Sequence, residues 1–455
     1  MTWDDNTDIT AQSAGELAEN IRTKAISPVE VINAYLQRIE KLNPTLNAIV
    51  TLASGAMEQA REAEAAVMSG ARLGPLHGVP VTIKDTIETA GLRTTSGSLL
   101  RSEFVPERDA PAVARLKAAG AIILGKTNTA EMAMDYNADN PVFGRTLNPC
   151  DPLLTPGGSS GGEAAAIATR MSPAGIGSDL AGSIRIPAHF CGIAGLKPTV
   201  GRVPDGGQFP PSTGPYSLGA AIGPMARSVS DLRLLFDALA GNEPSRVSDL
   251  RGARVAFYSD DSVASASEDT KAAVETAARV LRDAGVHPEE VRPPGVERGH
   301  ELWLKLFSRA SVVQLRNVYA GNEVKGGDFV RWRLATADDS PTASLDDYIQ
   351  SWLERDRLRA ALVDWMGDTP LIIAPVGATP AYEHDTHKLT IGDQTMSTFR
   401  AFSYSQTFNV FDLPVVVVPV GRTANGLPVG VQIIGRPFAE KTVLRAAAII
   451  EEALG

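Results

Sequence analysis

The segment Leu413–Gly435 reads LPVVVVPVGRTANGLPVGVQIIG. It holds two apolar runs, Pro414–Val420 and Pro428–Gly435, in which polar and apolar residues do not alternate. A strand with one wet face alternates, whereas a strand that is apolar throughout belongs to a sheet covered on both faces. PLIIAPV, from Pro370 to Val376, has the same character. Three such runs predict a buried sheet at the core.

Working outward, helix and strand signals alternate along the chain. Ser27-Pro28-Val29-Glu30 is a capping box with proline at the first helical position, and Val31, Ala34, Tyr35, Leu36 and Ile39 follow with helical spacing. Further helices are predicted over about Ala53–Met68, Asp109–Gly120 with Asp109 as N-cap, Ser230–Leu239, Thr270–Ala284, Leu302–Arg316, Leu345–Trp365 and Val443–Leu454. GVPVTIKD (Gly78–Asp85), AIILGK (Ala121–Lys126), AGIGSD (Ala174–Asp179) and Ala253–Tyr258 read as strands. Alternation of this kind is the mark of the α/β class. No internal repeat or long low-complexity linker interrupts it. The expectation is one large domain over residues 1–455, a mixed twisted sheet covered by helices on both faces. The Pro/Gly-rich run Val203–Gly223 is the loosest region, either a loop beside a site or a long surface connection.

The 455 residues are 44% hydrophobic and 21% charged, with a formal net charge of −10. An acidic balance without lysine/arginine blocks argues against nucleic-acid or anionic-membrane partners. The start MTWDDNTD is polar and acidic, unlike a secretory signal, and no apolar run is long enough to span a bilayer. A cytoplasmic location is expected. The two cysteines, Cys150 and Cys191, form no C-x-x-C pair and are expected as buried thiols.

Two local motifs are tempting. GAIILGKT (Gly120–Thr127) matches the phosphate-loop pattern, but its variable residues belong in a buried strand rather than a loop exposing N–H groups. GGSSG (Gly157–Gly161) matches the nucleophile elbow and would make Ser159 the nucleophile. That reading needs a strand before the turn and a histidine base. The preceding NPCDPLLTP is no strand, and none of the six histidines stands at a visible strand end. His384 and His387 form an isolated H-x-x-H, more often solvated surface than a metal site, so no metal and no cofactor are expected.

A third reading uses more of the chain. Lys84 ends the apolar run of GVPVTIKD, either reaching solvent or held in low dielectric, where burial favours its neutral, basic form. Ser183 follows Leu180-Ala181-Gly182, small residues that let successive N–H groups turn towards one point, as an oxyanion requires. A lysine, a glycine-bracketed serine and a serine beside such a nest are the parts of a Ser–Lys relay.

Taken together, GVPVTIKD, PGGSSGG, the D-x-x-G-S-I-R-x-P segment from Asp179 and GLKPTVGRVP (Gly195–Pro204), in this order, closely resemble the amidase signature family. LGKTNTAEMA and the N-terminal SAGELAENIRTKAISPVEVINAYLQRIE extend the resemblance over most of the chain. It implies the amidase signature fold, with a helical part over about 1–70, a signature core over about 71–240 and a variable pocket part over about 241–455. It implies Ser183 as the acylated nucleophile, Ser159 as a bridging serine on a cis peptide, and Lys84 as general base. Backbone N–H groups of Leu180, Ala181, Gly182 and Ser183 match the oxyanion hole, and Ser160, Asp179 and Arg185 the braces of the relay. Ala181 stands where the family commonly has glycine, and Asp135 where a small residue is usual. Met132 and Asp135 are the candidates offered for the substrate pocket.

The resemblance points to hydrolysis of small or aryl carboxamides, as in an aryl acylamidase. Carbamates and esters present the same carbonyl, as for urethanase-type members. A glutamine-hydrolysing subunit of a tRNA-dependent amidotransferase ranks lower, because its arginine- and tyrosine-rich C-terminal pattern is not recognised here. Joint retention of Lys84, Ser159 and Ser183 argues against a non-catalytic scaffold. Trp303, Trp332, Trp352 and Trp365 belong either to the core, where helical tryptophans are commoner, or to an aromatic pocket. The partner expected is a small amide, carbamate or ester; monomer and homodimer stay equally open.

Overall fold

The computed structural model describes residues 8–241, 250–336 and 344–455. The start of the chain up to residue 7, used above against a secretory signal, lies outside them. In chain order the strands are β1 (Ile49–Leu52), β2 (Pro80–Lys84), β3 (Ile122–Thr127), β4 (Ala174–Asp179), β5 (Ala194–Lys197), β6 (Ala221–Ala226), β7 (Arg254–Phe257), β8 (His287–Glu290), β9 (Leu371–Pro375), β10 (Lys388–Ile391), β11 (Gln394–Ser397), β12 (Val415–Arg422) and β13 (Pro428–Gly435). Eleven of them form one sheet in the order β1-β3-β2-β4-β6-β5-β12-β13-β9-β7-β8, while β10 and β11 pair separately. The sheet is mixed: β3-β2-β4 and β9-β7-β8 run parallel, and antiparallel pairs join these two blocks through β6, β5, β12 and β13.

The continuous apolar runs are explained by where alternate residues go. Val416, Val418, Val431, Ile433, Leu371 and Ile373 enter one hydrophobic cluster. Val415, Val417, Ile434, Ile372 and Ala374 enter a second cluster on the other face. Helices cover both. Glu440–Leu454, Glu268–Asp283 and Val229–Ala240 supply Leu444, Leu281 and Leu235 to the first cluster. Arg185–Cys191 and Ser403–Val410 supply Ile186 and Phe408 to the second. The α/β architecture expected from the sequence, a mixed sheet covered by helices on both faces, is the one present.

Most predicted elements are observed, and the exceptions have local causes. The capping box at Ser27 is formed with Glu30, and its helix runs Pro28–Leu46. Asp109 does not cap its helix. Ala110 is the N-cap of Pro111–Ala118, and Asp109 instead accepts from the Ala90 N–H and pairs with Lys117 at 2.8 Å. The Val203–Gly223 run ends as the start of β6, inside the sheet, and its middle lines a cavity described below. Cys191 is buried, but Cys150 is exposed, because the proline-flanked turn around it lies at the surface rather than in the core. The seven-residue helix Arg185–Cys191 has no apolar stripe to betray it, since all its residues are buried.

Candidate active site

Ligands in open α/β sheets collect beyond the carboxyl ends of parallel strands. Lys84 is the last residue of β2 and Asp179 the last of its parallel neighbour β4. Both ends open towards the turn before the helix Gly161–Ala168, which carries Ser159 and Ser160. The Gly158–Ser159 peptide is cis. A Cβ at Gly158 would stand 2.6 Å from the Tyr136 carbonyl carbon and 2.7 Å from the Asp135 oxygen, so only glycine fits there.

Lys84 has no exposed surface. Its Nζ lies 2.6 Å from Ser159 Oγ and 3.0 Å from Ser178 Oγ. Burial pulls its pKa down to about 7, against the opposing fields of Asp179 and Glu163. The sequence left Lys84 open between a solvated strand end and a buried base; the structure places it in the interior. Glu163, one turn into the helix after Ser159, accepts from Thr82 and from Thr127 at 2.7 Å, and burial raises its pKa to about 7. The phosphate-loop match proves to be β3: Lys126 is buried there and donates to the Ile87 carbonyl and to Thr89 and Thr94.

Beyond Asp179 the chain turns through Leu180–Ile184 into the helix Arg185–Cys191. Burial alone would raise the Asp179 pKa, but Arg185 holds it well below the ordinary carboxylate range. Arg185 grips both carboxylate oxygens, at 3.0 and 2.8 Å. Its remaining donors go to the Ser405 carbonyl, Gln432 and Asn409, so the fork is fully used. The carboxylate in turn receives the Gly182 and Ile184 N–H groups at 2.8 and 3.1 Å. Among the described residues, the N–H groups of Leu180, Ala181 and Ser183 meet no acceptor. Of the four N–H groups expected to face an oxyanion, that of Gly182 is thus already held by Asp179. Gly182 has φ +106°, and a Cβ there would meet Ser405 and Ile186 at 2.7–2.8 Å. Ser160 donates its N–H to the Ser183 carbonyl at 3.2 Å, tying the serine turn to the second serine.

Ser159, Ser183, Leu180 and Ala181 line one cavity of about 290 Å³. Its outer wall is aromatic: Trp303, Phe307, Phe329, Trp332 and Phe399. Met132 and Asp135 line it too, as offered from the sequence. Burial pushes Asp135 up to about 6, with Tyr136 and Asn137 donating to it. Trp352 and Trp365 pack against the second core cluster, Trp332 lines the cavity, and Trp303 belongs to both. Among the described residues no histidine takes part with Ser159: His189, for example, is buried against the Gly430 N–H and the Thr379 carbonyl. Among the described residues no three His, Cys, Asp or Glu side chains gather to hold a metal ion, and no helix is long and apolar enough to cross a membrane.

Sequence reasoning missed Ser178, which contacts the lysine amine, and Glu163, whose charge acts on it. Ser178 opens a motif that was read from its later residues, and Glu163 looked like one more helix former in an alanine run.

Comparison with known proteins places the chain in a family. Residues 30–444 match the family model described as Amidase. The glutamyl-tRNA(Gln) amidotransferase A-subunit of Geobacter metallireducens is 32% identical over 481 aligned positions, covering 96% of each chain. A bacterial aryl acylamidase of the amidase signature enzymes superposes with TM-score 0.86 at 27% identity, covering 97% of this chain and 96% of its own. The substrate complex of 6-aminohexanoate cyclic dimer hydrolase superposes with TM-score 0.85 at 28% identity, covering 98% of each.

Proposed function

The chain belongs to the amidase family, and on that premise we propose that it is a serine hydrolase that cleaves small or aryl carboxamides through an acyl-enzyme. The observation that carries the proposal is the buried Lys84 amine 2.6 Å from the Oγ of Ser159, which lines the same cavity as Ser183. Neutral Lys84 takes the Ser159 proton while Ser159 takes that of Ser183. Ser183 Oγ then bonds to the substrate carbonyl carbon, and the carbonyl oxygen takes the negative charge. The free N–H groups of Leu180, Ala181 and Ser183 are the donors for that oxygen. When the C–N bond breaks, the proton returns from Lys84 through Ser159 to the leaving amine. Water enters by the same route, loses a proton to the relay and releases the acid. Carbamates and esters offer the same carbonyl to this machinery.

A second reading, the glutamine-hydrolysing component of a tRNA-dependent amidotransferase, is favoured by the 32% identity to the Geobacter protein. The cavity favours the first. Its wall of Trp303, Phe307, Phe329, Trp332 and Phe399 suits an aryl or extended apolar group better than a short, doubly charged amino acid. The deciding experiment is labelling with a fluorophosphonate, peptide mapping, and assay of anilides against glutamine. An adduct on Ser183 with anilide turnover supports the proposal. An adduct on Ser159 overturns the assignment, and glutamine as sole substrate, with co-purifying partner chains, favours the second reading.

A further inference from the structure

Two consecutive carbonyls ahead of Ser183 are held by side chains that also wall the cavity. Trp303 Nε1 donates to the Leu180 carbonyl at 3.0 Å. Tyr136 Oη donates to the Ala181 carbonyl at 2.9 Å. Behind Tyr136 the bonds form a one-way chain. Gln406 Nε2 donates to Tyr136 Oη at 2.9 Å and to the Phe399 carbonyl at 2.8 Å. Its Oε1 is therefore the acceptor that faces His300 Nδ1 at 2.6 Å. With its one acceptor bond from Gln406, the tyrosine hydroxyl has its proton directed at Ala181. The Tyr136 and Trp303 rings both pack on Phe399, at centroid distances of 4.7 and 5.8 Å, so one aromatic group presents two polar edges to adjacent peptide planes.

In a trans peptide the C=O and N–H leave the same rigid plane in opposite directions. Fixing the Leu180 carbonyl therefore fixes the direction of the Ala181 N–H, which meets no acceptor among the described residues. Fixing the Ala181 carbonyl fixes the Gly182 N–H, which Asp179 receives on the other edge at 2.8 Å. One plane is clamped on both edges, and the plane before it is clamped on one, with its donor free.

We propose that Trp303, by fixing the plane of the Ala181 N–H, and Tyr136, by fixing the plane joined to it at the Ala181 Cα, are positioning residues for the oxyanion strip, so that the aromatic wall receiving the substrate also sets a donor that stabilises its transition state. This rests on Ser183 being the nucleophile. A structural role alone would leave the chemical step untouched. A positioning role must show in the transition state and not in ground-state binding.

The test uses the full-length enzyme and its Tyr136→Phe, Trp303→Phe and Gln406→Met variants, each checked for an intact melting transition. The first two keep an aromatic ring and remove the donor; the third keeps the tyrosine hydroxyl and removes the group that orients it. The main readout is covalent labelling by a fluorophosphonate, whose P=O oxygen gains charge as Ser183 attacks, resolved into a saturating rate and an apparent affinity. The saturating rate is expected to fall about 10-fold for each lost donor, below the 10²–10³ of a direct oxyanion donor. Apparent affinity should stay within about twofold. Gln406→Met should move the rate in the same direction by less. A trifluoromethyl ketone should lose affinity in proportion to the rate. Folded variants with wild-type labelling rates, or with weakened affinity at an unchanged rate, would overturn the proposal. Failure of the wild type to label on Ser183 would instead overturn the nucleophile assignment on which it rests.

Discussion

Lys84 Nζ and Ser159 Oγ lie 2.6 Å apart, and neither side chain has exposed surface. An ammonium in that position has lost its water, and that loss outweighs the opposing fields of Asp179 and Glu163. The neutral amine is favoured, and a neutral amine is a base. What stabilises the charged form therefore opposes the proposed activity.

With the Lys84 pKa at about 7, kcat/KM should rise with unit slope through neutral pH and level above it. A profile flat from pH 5 to 9, with chemistry rate-limiting, would rule out lysine as base. Lys84→Met should lose activity by several orders of magnitude yet gain stability. The folded state resists protonating Lys84, so it binds fewer protons than the unfolded chain between about pH 7 and the ordinary lysine value of 10.5. That cost is full below pH 7 and is relieved as pH rises through this window. The variant's advantage in urea unfolding, about 1 kcal/mol or more at pH 6, should shrink towards pH 10.

Ser183→Ala should abolish the covalent adduct and lower kcat by about 10⁶, the scale for a lost nucleophile. Ser159→Ala should keep a slow adduct on Ser183 and lose about 10²–10⁴, the scale of positioned proton transfer. Rapid-quench mass spectrometry separates the two. Wild-type turnover by either variant would refute its role.

Glu163→Gln retains the side chain's shape between Thr82 and Thr127 and removes its charge. Since Glu163 raises the Lys84 pKa, its loss should move the acid limb of the pH–rate profile to lower pH. A limb that stays in place, or moves up, would show that Glu163 is electrically silent at the site.

Asp179→Asn leaves the Arg185 guanidinium buried without its counter-ion, with only neutral acceptors around it. Breaking such a pair costs about 3–5 kcal/mol. Arg185 depresses the folded pKa of Asp179, so the wild-type contribution is complete above the ordinary carboxylate value of 3.8. It fades as pH falls below that value towards the folded pKa. Urea unfolding should thus separate wild type from variant widely at pH 7 and less at pH 3. Equal separation at both would contradict the ion pair's share in stability.

The sequence by itself determined the layers and the chemical inventory. Runs such as Val415–Val418 are apolar at every position because successive residues feed cores on opposite faces, a local pattern visible without coordinates. Lys84, Ser159 and Ser183 stand out in the sequence because each breaks its surroundings: a charge ending an apolar strand, or a hydroxyl among small residues. Only the tertiary structure decided which donors around Ser183 are free. Asp179 takes the Gly182 N–H, a choice made by Arg185 and the residues around it, from Ser405 to Gln432, more than two hundred positions downstream. The same holds for Trp303 and Tyr136, whose helical or loop context says nothing about a carbonyl across the cavity. Burial, hydrogen-bond direction and the field at a titrating amine are sums over neighbours that the chain brings together from far apart. A local pattern encodes the parts, and packing assigns their partners.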